Sequence, residues 1–345
     1  MLITVFQCPE CFRNYQVGVE LLNQSTVVDY LVSKNLISRQ EAAEVEVLTG
    51  GVSNVVLAIT TESKKLVLKQ ALAELAVSEK WEADQRRAIV EADAIELFHK
   101  LSPKQVPSLV FLDPDRFILV LERLPVGSTV WKSDLLAGVI DPDVGAVLGE
   151  TLATWHNYGE KNSDAKDKFM EDSLFEQLRI DPFYRFVANK NLQIEVSIRK
   201  LINELEGDKT TIVHGDFSPK NIMVSMSGDV YILDFEVTHV GNPLFDLAFL
   251  LAHLLCKFFH APDALQAKLL SNTASVFVNN YQKLRPVAPT VYRHAALIAL
   301  ARVEGKSPVN YLSPDQQTKI QKFTKEILLS DSNISINKLF EMGAR

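Results

Sequence analysis

Residues 212–224, IVHGDFSPKNIMV, set two short apolar runs on either side of a loop crowded with His214, Asp216, Lys220 and Asn221. The apolar ends predict buried strands, and a rigid strand end holds a polar side chain at a fixed position. Asp216 leaving one strand and Asn221 entering the next are therefore expected to converge. A further run, Val230 to Leu233, ends on Asp234 in YILDFE. Two acids and an amide so placed suit a hard divalent ion such as Mg2+, which takes one or two carboxylates and fills its shell with water and phosphate oxygens.

Around this segment the chain changes texture near residue 122. Before it, Val45 to Leu48, Val55 to Thr60 and Leu66 to Lys69 read as strands of an antiparallel meander, separated by Gly or charged turns. Trp81 to Lys100 reads as one amphipathic helix, with Ala88, Ala92 and Ile95 at three- and four-residue spacing. SLVFLD and RFILVLERL predict two more strands turning at Asp113-Pro114-Asp115, and a helical lead-in is centred on Val27 to Leu36. After Pro125 helices are expected near 143–157, 183–205, 244–258, 263–283, 290–304 and 315–329. With 345 residues the chain exceeds what one hydrophobic core usually serves. The expectation is an α+β chain with an N-terminal lobe at 1–124, including its lead-in at 1–42, and a larger, mainly helical lobe at 125–345.

Composition excludes some classes of function. The formal charge of −7 opposes general affinity for nucleic acid, which needs a basic face. From Asp141 to Asp181 ten acids stand against Lys161, Lys166, Lys168 and Arg179. That excess reads as solvated surface, with a wall attracting a cationic substrate as the sharper alternative. Three cysteines point to a reducing compartment and a cytoplasmic protein. Cys8 and Cys11 form a CxxC pair without the second ligand pair of a structural zinc site. No secretory signal is visible, and the most apolar stretch, Pro243 to Cys256, carries Asp246 and His253 and is too short to span a membrane. A homodimer is compatible with the sequence.

Upstream, TGGVSNVV places Gly50 and Gly51 in a turn where the backbone can approach an anion closely. Lys69 follows in LVLKQA, then Glu91 on the next helix, then Asp216-x4-Asn221, and Asp234 thirteen residues later. Glycine turn, strand lysine, helix glutamate, aspartate, asparagine and aspartate in this order match the kinase arrangement. HGDFSPKNIMV, with ILDFE and GNPLFDLA, resembles the aminoglycoside phosphotransferase and choline kinase superfamily, over about residues 43–310. The first lobe, through LVLKQA and RRAIVEADAIELF, is similar to the methylthioribose kinase branch, whereas the FSPKN loop is nearer the aminoglycoside and choline branch.

The resemblance implies a two-lobed protein-kinase-like fold and transfer of the γ-phosphate of ATP, with Mg2+, to a hydroxyl of a small acceptor. It implies Asp216 as the base that orients and deprotonates that hydroxyl, and Asn221 and Asp234 as metal ligands. Lys69 then holds the α- and β-phosphates with Glu91 as its helix partner, while Gly50, Gly51, Ser53 and Asn54 cover the phosphates. In LERLP, the backbone of Glu122 and Leu124 meets the adenine edge. A sugar, aminosugar or amino alcohol is the expected acceptor. A nucleotide-binding module without turnover is the alternative.

Other polar residues carry their own expectations. Asp246 resembles an acid that holds the catalytic loop by accepting backbone hydrogen bonds. His214 is expected to pack beneath that loop, with a role as base the alternative. Glu236 either reaches the metal through water or caps its turn, and Lys220 either contacts the γ-phosphate or is solvated. Arg302 and Lys306 are candidates for the acceptor pocket, but the simpler reading ends a helix at Glu304 with Gly305 as a left-handed cap.

Overall fold

The computed structural model describes residues 20–48, 53–74, 84–330 and 332–345. Gly50, Gly51 and the Cys8/Cys11 pair lie outside them. The described chain divides into two compact units.

The first unit takes in the described residues up to Gln85 together with Phe111–Val120. Its sheet is built from β1 (Glu44–Val47), β2 (Asn54–Thr60), β3 (Lys65–Ala71), β4 (Leu109–Asp113) and β5 (Ile118–Glu122), in the order β1-β2-β3-β5-β4. The period-2 alternation of the sequence sets its faces. Leu57 and Ile59 of β2, Leu66 and Leu68 of β3, and Ile118 and Val120 of β5 share one core with Val27, Tyr30 and Leu31 of α1 (Val27–Ser33). The Tyr30 hydroxyl donates to Asp113 at 2.8 Å and Lys34 pairs with the same carboxylate at 2.9 Å, fastening the lead-in helix to β4. Lys69, half-buried between the buried Leu68 and Gln70, falls on the face opposite Leu66 and Leu68.

The second unit holds Arg86–Val110 and Leu121–Arg345. Its first helix, α2 (Arg87–Leu101), begins six residues later than the expected Trp81: residues 85 and 86 form a turn, and 75–83 lie outside the described residues. After β6 (Thr129–Val130) come α3 (Trp131–Leu136), α4 (Pro142–Lys161), and the short α5 (Ser163–Asp167) and α6 (Ser173–Phe175). The helix expected over 183–205 is broken. A π-helical stretch, Glu176–Arg185, contains Pro182, which has no N–H for regular α-helical bonding. It runs into α7 (Phe186–Lys190), and α8 (Glu195–Gly207) restarts after Asn191, whose amide donates back to the Val187 carbonyl.

Four short strands sit among these helices: β7 (Thr211–Val213), β8 (Ile222–Val224), β9 (Val230–Ile232) and β10 (His239–Gly241). The first three match expectation. β10, which pairs antiparallel with β7, is too short and polar to stand out in the sequence. The chain then enters α9 (Leu244–His260), α10 (Ala264–Gln282), α11 (Val291–Glu304), α12 (Pro314–Leu329) and α13 (Ile336–Leu339). α4 lies close against α10 because Gly145 and Gly149 face it: a Cβ on Gly145 would stand 2.6 Å from the Thr273 carbonyl oxygen, and one on Gly149 would collide with that of Phe277. Gly305 corrects the expected left-handed cap. Its φ of −80° is one that any residue adopts, and glycine is needed because a Cβ would strike the Ala301 carbonyl. α9 is buried on nearly every side, and no helix among the described residues is long and apolar enough to cross a membrane.

Candidate active site

The loop between β7 and β8 gains its shape from one glycine and one buried acid. Gly215 sits at φ +75°, and a Cβ there would also collide with the Val237 carbonyl. Asp246, fully buried in the first turn of α9, accepts the backbone N–H of His214 at 2.7 Å and of Gly215 at 2.9 Å. His156 of α4 reaches the same carboxylate at 3.2 Å through Nε2, and its Nδ1 lies 2.8 Å from the Tyr281 hydroxyl. Burial pushes Asp246 up, but its hydrogen bond with His156 and the nearby ring outweigh this, so the carboxyl stays below the usual aspartate range. Burial holds His156 below its ordinary value, so it is neutral and donates to Asp246. The loop-holding role expected of Asp246 follows directly from these bonds.

His214 is also neutral by burial. Its Nδ1 accepts from the Asp216 N–H at 3.2 Å, which leaves Nε2–H to donate to the Leu233 carbonyl at 3.1 Å. Both ring nitrogens are thus engaged with backbone, which fits a packing role and not a base. Phe217 and Phe235, both fully buried, flank the ring, and Trp155 closes over them. A polar loop therefore rests on an aromatic floor.

Asp216 is itself buried, at 3 % exposure. Its Oδ1 lies 2.9 Å from Arg179, and its Oδ2 lies 2.8 Å from Lys220 and accepts the Asn221 amide at 2.8 Å. Burial raises this carboxyl, but Arg179 and then Lys220 outweigh it, holding the group ionised below the usual range. A carboxylate offers about four lone-pair positions, so Oδ1 retains room for one more donor. Lys220, about half exposed, is ion-paired with Asp216 here. Arg179 is a functional candidate that the sequence reading missed. It projects from the π-helical stretch, also donates to the Gly215 carbonyl at 2.9 Å, and is the one arginine in the acid-rich 141–181 stretch.

Asn221 meets Asp216 as expected. Its Nδ2 donates to the Asp216 carbonyl and carboxylate, at 3.0 and 2.8 Å, while its Oδ1 accepts from no described residue. The Leu233 N–H bonds the Asn221 carbonyl at 2.8 Å, and β8 pairs with β9 in the register Ile222 to Ile232, so Asp234 follows close beside Asn221. Asp234 has φ +69°, a left-handed conformation that a non-glycine residue holds only when its surroundings enforce it. Among the described residues no three His, Cys, Asp or Glu side chains gather as a metal site. One amide oxygen and one carboxylate fit a magnesium ion whose remaining ligands are water and phosphate oxygens. Glu236, two residues beyond Asp234, pairs with Arg87 at the start of α2 at 3.2 Å.

The sequence profile of the phosphotransferase enzyme family matches residues 44–287. The chain belongs to that family. A methylthioribose kinase from Bacillus mycoides is 24% identical over 304 residues, covering 78% of this chain and 75% of that protein. Among solved structures of the same fold, the amicoumacin kinase hAmiN, in complex with AMP-PNP and Ca2+, aligns with a TM-score of 0.54 at 16% identity, covering 92% of this chain and all of that one. The macrolide 2'-phosphotransferase MphH from Brachybacterium faecium aligns at 0.51 with 15% identity, over 88% of this chain and 97% of its own. The α+β, protein-kinase-like fold expected from the family motifs is the one this chain adopts.

The remaining family positions stand on both units. Ser53 precedes β2 and accepts the amide of Asn54, and Lys69 lies in β3 opposite Val56. Glu91 is buried on α2. Glu122 ends β5 with its N–H bonded to the Ser108 carbonyl at 3.1 Å and its carboxylate accepting the Ser108 hydroxyl at 2.9 Å, and Leu124 follows two residues on. The acids of the 141–181 stretch lie mostly on the exposed surface. Several are paired there, as Glu176 and Asp181 are with Arg185, which is the solvated reading of that stretch.

Proposed function

We propose that this protein is an ATP-dependent kinase transferring the γ-phosphate to a hydroxyl of a small metabolite of the sugar, aminosugar or amino alcohol class, with Asp216 as catalytic base. The observation that carries this reading is the state of Asp216. It is a buried carboxylate kept ionised by Arg179 and Lys220, with a lone-pair position left on Oδ1, beside an Asn221 oxygen that no described residue uses. Membership of the phosphotransferase family supplies the reaction class.

In this reading Asp216 accepts a hydrogen bond from the acceptor hydroxyl and aligns its oxygen with the γ-phosphorus. As the new O–P bond forms and the bond to the β-phosphate oxygen breaks, ADP leaves and the hydroxyl proton passes to Asp216. Such transfer is mostly positioning and charge neutralisation, so a base that remains anionic until late suffices. Asn221 and Asp234 hold Mg2+, which when bound offsets charge on the phosphate oxygens. Gly50, Gly51, Ser53, Asn54 and Lys69, with Glu91 as the matching acid, take the phosphates of ATP, and the backbone of Glu122 and Leu124 takes adenine. Residues 1–124 then serve the nucleotide, and 125–345 serve catalysis and the acceptor, in a protein of the cytoplasm.

Incubation with Mg·ATP and a panel of sugars, aminosugars and amino alcohols, followed by product detection, tests the reading. Phosphate appears on at least one acceptor, and Asp216→Asn abolishes the transfer. Tight Mg·ATP binding with no transfer across the panel would instead mark a nucleotide-binding module.

A further inference from the structure

α9 carries Asp246, His253 and Lys257 at spacings of seven and four residues, which places them along one helical face. The N-terminal member of this stripe holds the Asp216 loop. The other two members face a different environment. Lys257 is 2 % exposed and makes no ion pair among the described residues; its partners are the His253 carbonyl at 3.5 Å and the face of Tyr311 at 5.5 Å. Arg302 of α11 also makes no ion pair among the described residues. Its guanidinium donates to Ser307 at 3.0 Å and stands 5.6 Å over the Phe183 ring, while its Nε is buried without a partner. The Tyr311 hydroxyl is likewise buried and unpartnered.

The charges acting on His253 and Lys257 are mostly cationic. The groups that bear on His253 are Arg302, Lys257, Lys220 and Lys132, all cations. Lys257 feels Lys132 and Arg302, with the neutral thiol of Cys256 and the ring of Tyr311 beside it. Burial and those cations bring Lys257 down to about 7. The carboxylate that bears on Arg302 is Asp216, already occupied by Arg179 and Lys220. Burying cations and a hydroxyl with no acceptor is costly. Such a group of donors is the environment an oxyanion stabilises, through charge-assisted hydrogen bonds to guanidinium, ammonium and phenol.

A stack of side chains connects Arg302 to the Asp216 loop: its guanidinium lies over Phe183, the Phe183 ring meets Phe249 at 5.7 Å, and Arg179, the partner of Asp216 Oδ1, lies 5.4 Å over Phe249; Oδ1 is the oxygen with a lone pair left for the acceptor hydroxyl. We infer that the acceptor is a hydroxylated metabolite bearing an anionic group, carboxylate or phosphate, which Arg302, Lys257, His253 and Tyr311 hold while Asp216 meets its hydroxyl. The inference rests on the kinase reading and narrows it, and it runs against the cationic acceptor that the acidic surface stretch suggested.

The test uses gluconate, glycerate and glucose 6-phosphate as anionic probes, with glucose, glycerol and glucosamine as neutral and cationic counterparts. Binding to the full chain without nucleotide is measured by calorimetry, and transfer is measured with Mg·ATP. An anionic probe binds, takes up close to one proton at pH 8 as Lys257 becomes charged, and is phosphorylated with kcat/KM at least tenfold above its counterpart. Whether gluconate or glucose 6-phosphate does so separates carboxylate from phosphate. Arg302→Gln raises KM for the anionic acceptor at least tenfold and brings the ratio to its counterpart near one, which a merely structural loss would not do. Lys257→Met, a change expected to leave the fold intact, abolishes the proton uptake. Preference for glucosamine, an unchanged ratio in both variants, or displacement of the anion by an ATP analogue overturns the inference with the kinase reading intact. Anion binding that Arg302→Gln abolishes, with no transfer to any probe, overturns the kinase reading and upholds the anion site.

Discussion

Asp216 and Asp246 are both buried aspartates held ionised, yet their partners differ in kind. Asp246 is satisfied by two backbone N–H groups and a neutral histidine, all fixed by the fold. Asp216 is satisfied by the ends of an arginine and a lysine and by one amide. Backbone donors cannot rearrange without unfolding the loop, whereas long side chains can reorient when a ligand arrives. One carboxylate therefore shapes the site, and the other is left able to react. A third environment, around Lys257 and Arg302, has the cations without the acid.

The largest expected effect separates the two carboxylates by function. Asp216→Asn keeps the shape and removes the proposed base, so transfer falls about a thousandfold, while the loss of Arg179's counter-charge costs stability less than the loss of Asp246 does. Asp246→Ala does the reverse first: it strands His156 and two loop N–H groups, and chemical denaturation shows a loss of about 3–5 kcal/mol. If Asp246→Ala left stability untouched while Asp216→Asn lowered it, the division of roles argued above would be reversed.

The pH dependence sharpens the comparison, because the groups that support the loop are kept neutral. Burial lowers His156, and likewise His239 beside β7. Above pH 6.5 each is neutral in both folded and unfolded chains. As pH falls below 6.5 the unfolded chain takes up protons that the native state refuses, so stability drops by about 1.4 kcal/mol per pH unit for each such histidine. Denaturation midpoints measured from pH 7.5 down to 5.5 should fall accordingly; a flat profile would mean that these rings are charged in the native state.

The smallest effect lies in the cation cluster and runs in the same direction with pH, over a higher window. Lys257 has a folded value of about 7 against 10.5 for an ordinary lysine. Between those values the unfolded chain holds the extra proton, so its contribution to stability rises with pH. Lys257→Met should be the more stable protein at pH 6.5, by about 1 kcal/mol or more, and the gap should narrow as pH rises towards 10. A gap that widened instead would show that the ammonium has a stabilising partner.

Much of this was legible in the chain. The antiparallel strands and most of the long helices follow from period-2 and period-3.6 patterns, and the pairing of Asp216 with Asn221 follows from a polar loop bounded by buried strands. Glu236 and Lys220 were less legible, because a charged side chain beside a motif reads the same whether it is solvated or paired. The break within 183–205 depends on Pro182 and Asn191, whose local signals are outweighed by helix-forming neighbours.

The order of residue types along the chain determined the family, the fold class and which side chains were candidates for chemistry, because those depend on local periodicity and fixed spacing. Only the tertiary structure could bring Arg179 from a π-helical stretch onto Asp216 and leave Lys257, Arg302 and Tyr311 buried without an acid. Both depend on which surfaces pack together across long separations in sequence, and burial, which sets the cost of each charge, exists only once the chain has folded.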